Sequence, residues 1–101
     1  MVAALRKALD LNAGNTRARV ALAEFYAASD RLAAAVSELE KAVTRDPGNA
    51  AALYQLGLAY QRRGKLKKAR QSLQEFQRAK ARMREEETEL VQILKPLQTA
   101  R

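Results

Sequence analysis

The chain contains no cysteine and no histidine. Without cysteine there is no disulfide framework and no thiolate metal site, and the redox compartment stays open. Without histidine the commonest general base and metal ligand at neutral pH is gone, so the inventory for catalysis is thin. Proline and glycine are scarce, at two and four residues in 101, while 48% of the residues are hydrophobic and 30% charged. That balance excludes a disordered chain and argues against a β-rich domain; it favours a folded, helix-rich protein. No apolar run approaches the roughly 20 residues a membrane span requires. The opening MVAALRKALDL carries charges inside an amphipathic helical pattern, so it does not read as a secretory signal. A soluble protein is expected, cytoplasmic by default.

Acidic charge is also in short supply, with 11 Asp and Glu against 19 Lys and Arg, a net charge of +8. The excess is local. Ten cations lie between Arg62 and Arg84 against Glu75 alone, which gives that segment +9 and leaves the rest of the chain at −1. Any electrostatic role therefore concerns residues 62–84.

What the chain does have is helical periodicity interrupted by short turns. Leu5, Ala8 and Leu9, with Val2, form one stripe that stops at Asn12, Ala13, Gly14 and Asn15, where a Gly or Asn takes the left-handed turn that ends a helix. Asn15 or Thr16 caps a second helix through Val20, Leu22, Phe25 and Tyr26, which breaks near Ser29 and Asp30. Leu32, Ala35, Val36, Leu39, Ala42 and Val43 mark a third, ended by Asp46, Pro47, Gly48 and Asn49. The fourth carries Leu53, Leu56, Leu58, Ala59 and Tyr60 up to Gly64, and a fifth starts near Leu66.

These helices repeat. At a period of 34 residues Leu5, Leu39 and Leu73 coincide, as do Leu22 with Leu56, Tyr26 with Tyr60, Leu32 with Leu66, Ala35 with Ala69, and Gly14–Asn15 with Gly48–Asn49. Small residues, Ala23 or Gly57 and Ala35 or Ala69, stand where two helices of a pair cross most closely, and Tyr26, Tyr60, Leu39 and Leu73 fill the space beside them. Leu53, Leu56, Gly57, Tyr60, Ala69 and Leu73, and upstream Leu22, Ala23, Tyr26, Ala35, Leu39 and Pro47, resemble the tetratricopeptide repeat over about residues 1–81. The resemblance implies an all-α fold, a right-handed α-solenoid of antiparallel helix pairs. It divides the chain into the second helix of a truncated repeat plus its turn (1–15), two repeats (16–49 and 50–83), and a terminal capping or extension helix (84–101), all in one structural domain.

The departures from the pattern matter as much. Met1 falls where a repeat's second helix begins, so an apolar edge at helix one is expected to be open, as in a piece of a longer array or an assembly that covers the edge with another copy. At the other end Phe76 stands where Ala8 and Ala42 stood, and Ala81 replaces the turn proline. No Gly, Pro, Asn or Asp occurs from Gln77 until Pro96, so one continuous helix from about Leu66 to Leu94 is geometrically allowed. Yet Glu85, Glu86 and Glu87 suit the first turn of a new helix, and Leu90 and Leu94 fall in the register of Leu56 and Tyr60. The expectation is a separate capping helix that seals the stack.

Nothing else in the sequence assembles a catalytic or metal site, and no cofactor is expected. Asp30 and Asp46 sit at turns, Glu38, Glu40 and Glu75 on helix faces expected to be exposed, and the glycines form no phosphate-cradling loop. The resemblance implies a non-enzymatic scaffold whose first helices line a groove for a peptide or partner segment. The groove positions would be Arg17, Val20, Ala21, Glu24 and Ala28 from one repeat and Ala51, Tyr54, Gln55, Leu58, Gln61 and Arg62 from the next. Tyr54 and Leu58, one turn apart, would form an apolar anchor. Val20, Glu24 and Gln55 stand where family members that clamp a chaperone's C-terminal carboxylate have Lys, Asn and Asn, so that activity is not expected. Two other readings remain: polyanion or nucleic-acid binding through 62–84, and homo-oligomerisation through the half-repeat edge. The basic segment has no interleaved Tyr or Trp for base stacking, and much of it lies on second helices facing outward, which ranks nucleic acid behind protein as a partner.

Overall fold

A computed structural model describes residues 2–12 and 14–99, with side chains described as far as Lys95. Met1, Ala13, Ala100 and Arg101, which belong to the expected first helix, first turn and terminal segment, lie outside the described residues. Five helices follow in order: α1 (Val2–Leu11), α2 (Thr16–Ala28), α3 (Leu32–Arg45), α4 (Ala50–Arg62) and α5 (Leu66–Thr99). Each packs on the next, and α2 also touches α4. This is a stack of helical pairs in which contacts join near neighbours along the chain.

The 34-residue period is visible in the caps and turns. Asn15 Oδ1 accepts from Ala18 N at 3.1 Å and Asn49 Oδ1 accepts from Ala52 N at 2.9 Å, so one residue type starts α2 and α4 in the same way. Both pairs close through the same C-terminal turn. Arg31 N donates to Tyr26 O at 2.8 Å with Asp30 at φ 62°, and Lys65 N donates to Tyr60 O at 2.9 Å with Gly64 at φ 75°. The left-handed residue expected after the first helix therefore lies elsewhere: among the described residues it occurs at Asp30 and Gly64, inside the pairs. Gly14 instead donates its N–H to Asn12 Oδ1 at 3.0 Å, a side-chain turn that needs no positive φ.

The core runs through the stack rather than around a centre. Leu22, Ala35 and Ala42 are fully buried, joined by Val20, Ala23, Tyr26, Leu39, Ala52, Leu56, Ala59, Tyr60 and Ala69, with Val2, Leu5 and Leu9 of α1 packed against them. At Gly57 a Cβ would lie 2.6 Å from Leu73 Cδ2, so the missing side chain is what lets α4 and α5 approach. Tyrosine also links the units: Tyr26 OH accepts from the Arg6 guanidinium, and Tyr60 OH donates to Glu40 Oε2 at 2.7 Å. In each case the partner lies 20 residues upstream on the preceding second helix.

Two expectations are corrected. The separate capping helix expected from residue 84 does not form; α5 runs unbroken from Leu66 to Thr99. Where the earlier units have NAGN at 12–15 and DPGN at 46–49, the same register at 80–83 reads KARM, which supplies neither a turn residue nor a cap. At 1.5 Å per residue α5 is roughly 51 Å long against roughly 20 Å for α4, so its second half passes beyond the body. Residues 80–95 are exposed throughout. The second correction is Glu38, which is half-buried and pairs with Arg19 at 3.0 Å, tying α3 to α2.

Candidate partner-binding surface

The first helices of the two repeats, α2 and α4, lie side by side, and the gaps between their side chains define the surface. Arg17, Val20, Ala21 and Glu24 of α2 together with Asn49 and Ala51 surround a hollow of about 260 Å³. Beside it Ala23 and Ala27 of α2 meet Gln55, Leu58 and Arg62 of α4 around a smaller one of about 120 Å³. Gln55 Nε2 donates to Glu24 Oε1 at 3.5 Å, so the two hollows meet at this bond. Small residues make the floor: Val20 and Ala23 are buried and belong to the core, while Glu24 and Ala51 stand exposed at the rim.

Arg62 closes one end. It reaches across from α4, donating to Ala27 O at 3.3 Å and approaching Asp30 Oδ1 at 3.6 Å. Ala28 lies exposed at the same end of α2. Nine of the eleven residues expected in a groove, from Arg17 through Arg62, thus lie on the α2–α4 side. Tyr54 and Gln61 do not join them. Tyr54, 41% exposed, has its ring 5.0 Å from that of Phe76 on α5. Gln61 lines a different hollow of about 430 Å³ with Leu66, Ala69 and Leu73 at the open end of the stack. Leu58, by contrast, is half-buried among Ala23, Ala27 and Ala59. The expected Tyr54–Leu58 patch is therefore split between the two flanks of α4.

The basic segment is dispersed as well. Arg62 is engaged with Asp30, Arg78 pairs with Glu75, Lys68 lies over the Tyr60 ring at 5.8 Å and Lys80 over the Phe76 ring at 5.4 Å. Among the described residues no group of three acidic side chains could hold a metal ion, and no helix is long and apolar enough to cross a membrane. One ionisable group is displaced: burial, with Glu40 as hydrogen-bond partner and nearby charge, pushes the Tyr60 hydroxyl up to about 12.

A stack of antiparallel helix pairs with a 34-residue period and a lined surface of first helices defines an α-solenoid of the recognition-module class. Family models described as tetratricopeptide repeats match residues 27–82 and residues 2–50, and the chain belongs to the tetratricopeptide repeat family. Proteins of this family are in general protein–protein interaction modules. Among solved structures the crystal structure of MamA resembles it with a TM-score of 0.78 at 24% sequence identity, covering 83% of this chain and 49% of that one. The chain thus spans about half the length of that structure, and the likeness is one of fold. No curated protein sequence matches the chain.

Proposed function

We propose that the chain is a non-enzymatic scaffold whose α2–α4 surface binds an extended or helical segment of a partner protein. The observation that carries this reading is the pair of adjoining hollows bridged by Glu24 and Gln55. Their floor is made of small apolar residues and their rim of Arg17, Glu24, Asn49 and Arg62, an arrangement that takes short apolar side chains of a peptide while polar rim groups meet its backbone. Four of the ten cations of 62–84 are held in ion pairs or ring contacts, and the segment has no Tyr or Trp for base stacking, which favours a protein over a polyanion as the partner.

Peptides selected on the protein from a random display library test it. Binding to the double variant Glu24→Lys/Ala51→Glu, with thermal melting as a control for folding, is expected to weaken by about tenfold or more, equivalent to about 1.4 kcal/mol. Undiminished affinity of every selected peptide for this variant would remove the α2–α4 surface from consideration.

A further inference from the structure

We infer that the projecting half of α5 is a docking site for an amphipathic helix of a partner protein, one whose apolar stripe carries a Lys or Arg at its centre, opposite Glu87. This goes beyond the partner-binding reading and concerns a different surface.

The site follows from where α4 starts. Ala69, Ser72 and Ala79 are buried and Phe76 is half-buried, and their spacing of three, four and three residues makes one stripe of α5, the stripe that packs on α4. Tyr54, in the second turn of α4, has its ring 5.0 Å from that of Phe76, and a Cβ at Gly48 would lie 3.8 Å from Arg82 Nη2. The first turn of α4 and the loop before it therefore stand beside residues 79–82. The stripe continues past them. Met83, Leu90 and Leu94 extend it at helical spacing with Val91 alongside, and these four side chains are between 41% and 60% exposed. Among the described residues no helix other than α4 packs on α5. An apolar stripe of this extent in water is stabilised by being covered.

The spacing says what kind of cover fits. Ala69, Phe76, Met83 and Leu90 recur every seven residues, and so do Leu73, Lys80, Glu87 and Leu94, the two interleaved series of a coiled-coil seam. The first series is apolar throughout. The second is apolar at both ends and charged in the middle. Lys80 already lies over the Phe76 ring at 5.4 Å. Glu87 is exposed, has no ion pair or hydrogen bond among the described residues, and sits between Met83 and Leu90 in the middle of the uncovered stripe, with Glu86 on its flank. A helix laid here, end to end with α4, covers Met83, Leu90 and Leu94 and takes Glu87 out of water. An unpaired carboxylate resists that transfer, so the occupant that fits brings a cation to this point.

A second copy of this chain does not bring one. Overlap of the two stripes from Met83 to Leu94 sets Glu87 against Glu87 when the helices are parallel. When they are antiparallel it sets Glu87 against Leu90, which leaves the two carboxylates three residues apart, about 4.5 Å along the axis. Either pairing concentrates like charge in the seam, whereas a foreign helix with a central Lys or Arg neutralises it.

The probes are two fluorescently labelled helical peptides of three heptads, about 21 residues, with leucine at every seam position except the central one, which is Lys in one peptide and Glu in the other. In fluorescence anisotropy the full chain is expected to bind the Lys peptide about tenfold or more tighter than the Glu peptide. Glu87→Lys reverses that order. Leu90→Gln/Leu94→Gln, with helicity checked by circular dichroism, loses both probes but keeps every peptide whose binding Glu24→Lys/Ala51→Glu weakens. In sedimentation velocity the chain alone stays at its monomer mass. Failure of the wild-type chain to bind the Lys peptide, equal affinity for the two probes, an order that survives Glu87→Lys, retention of the Lys peptide by Leu90→Gln/Leu94→Gln, or a wild-type dimer that this variant abolishes would each overturn the proposal.

Discussion

Tyr60 shows how a repeat position is used twice. Its ring is buried between α3 and α5, and its hydroxyl donates to Glu40 at 2.7 Å, so burial disfavours the phenolate and the neighbouring carboxylate disfavours it further. The folded hydroxyl titrates near 12, above the ordinary value of 10.0. Its contribution to stability is thus complete below pH 10, where the tyrosine is neutral in both states. It declines as pH rises from 10 towards 12, because the unfolded chain gives up its proton first. Denaturant midpoints measured at pH 9, 10 and 11 should therefore fall more steeply for wild type than for Tyr60→Phe, which has no proton to lose. At pH 7 the same substitution should cost about 1 kcal/mol for the lost hydrogen bond. Parallel pH slopes for the two proteins would refute the assignment.

Helix boundaries were legible wherever a turn residue enforced them. Asn15 and Asn49 cap α2 and α4, Pro47 and Gly48 end α3, and the apolar spacing of each helix matches its buried face. The fifth helix was harder to read because two signals disagreed. Acidic residues at 85–87 and the apolar register of Leu90 and Leu94 described a new first helix, but an unbroken helix carries the same periodicity, and only the missing turn at 80–83 separates the two. The candidate surface came from the family resemblance: apart from Tyr54 and Gln61, the positions it put in a groove lie on α2 and on the α2 side of α4. Spacing does not say towards which neighbour a side chain leans. Tyr54 and Leu58 share a face of α4, yet the long Tyr54 ring reaches Phe76 on α5 while the shorter Leu58 stays beside α2. α5 itself gives an element-scale prediction. Amides at 66–79 pack on α4 and should be protected from hydrogen exchange at every protein concentration. Those at 84–95, exposed on the projecting half of the helix, should exchange rapidly. Equal protection of the two halves would contradict it.

At the scale of the whole molecule, stability is carried by a chain of adjacent interfaces, so damage at one end need not reach the other. Among the described residues α1 touches α2 and no other helix, whereas α4 is held by α2, α3 and α5. Removal of residues 1–12 uncovers the part of the core against which Val2, Leu5 and Leu9 pack and takes the Arg6 guanidinium from Tyr26, and so lowers the melting temperature. It leaves α3, α4 and α5 with all their mutual contacts. Circular dichroism melting of a chain lacking residues 1–12 is therefore expected to show a midpoint below that of the full chain with a cooperative helical transition kept, and an unchanged midpoint would contradict the cover that α1 gives the core.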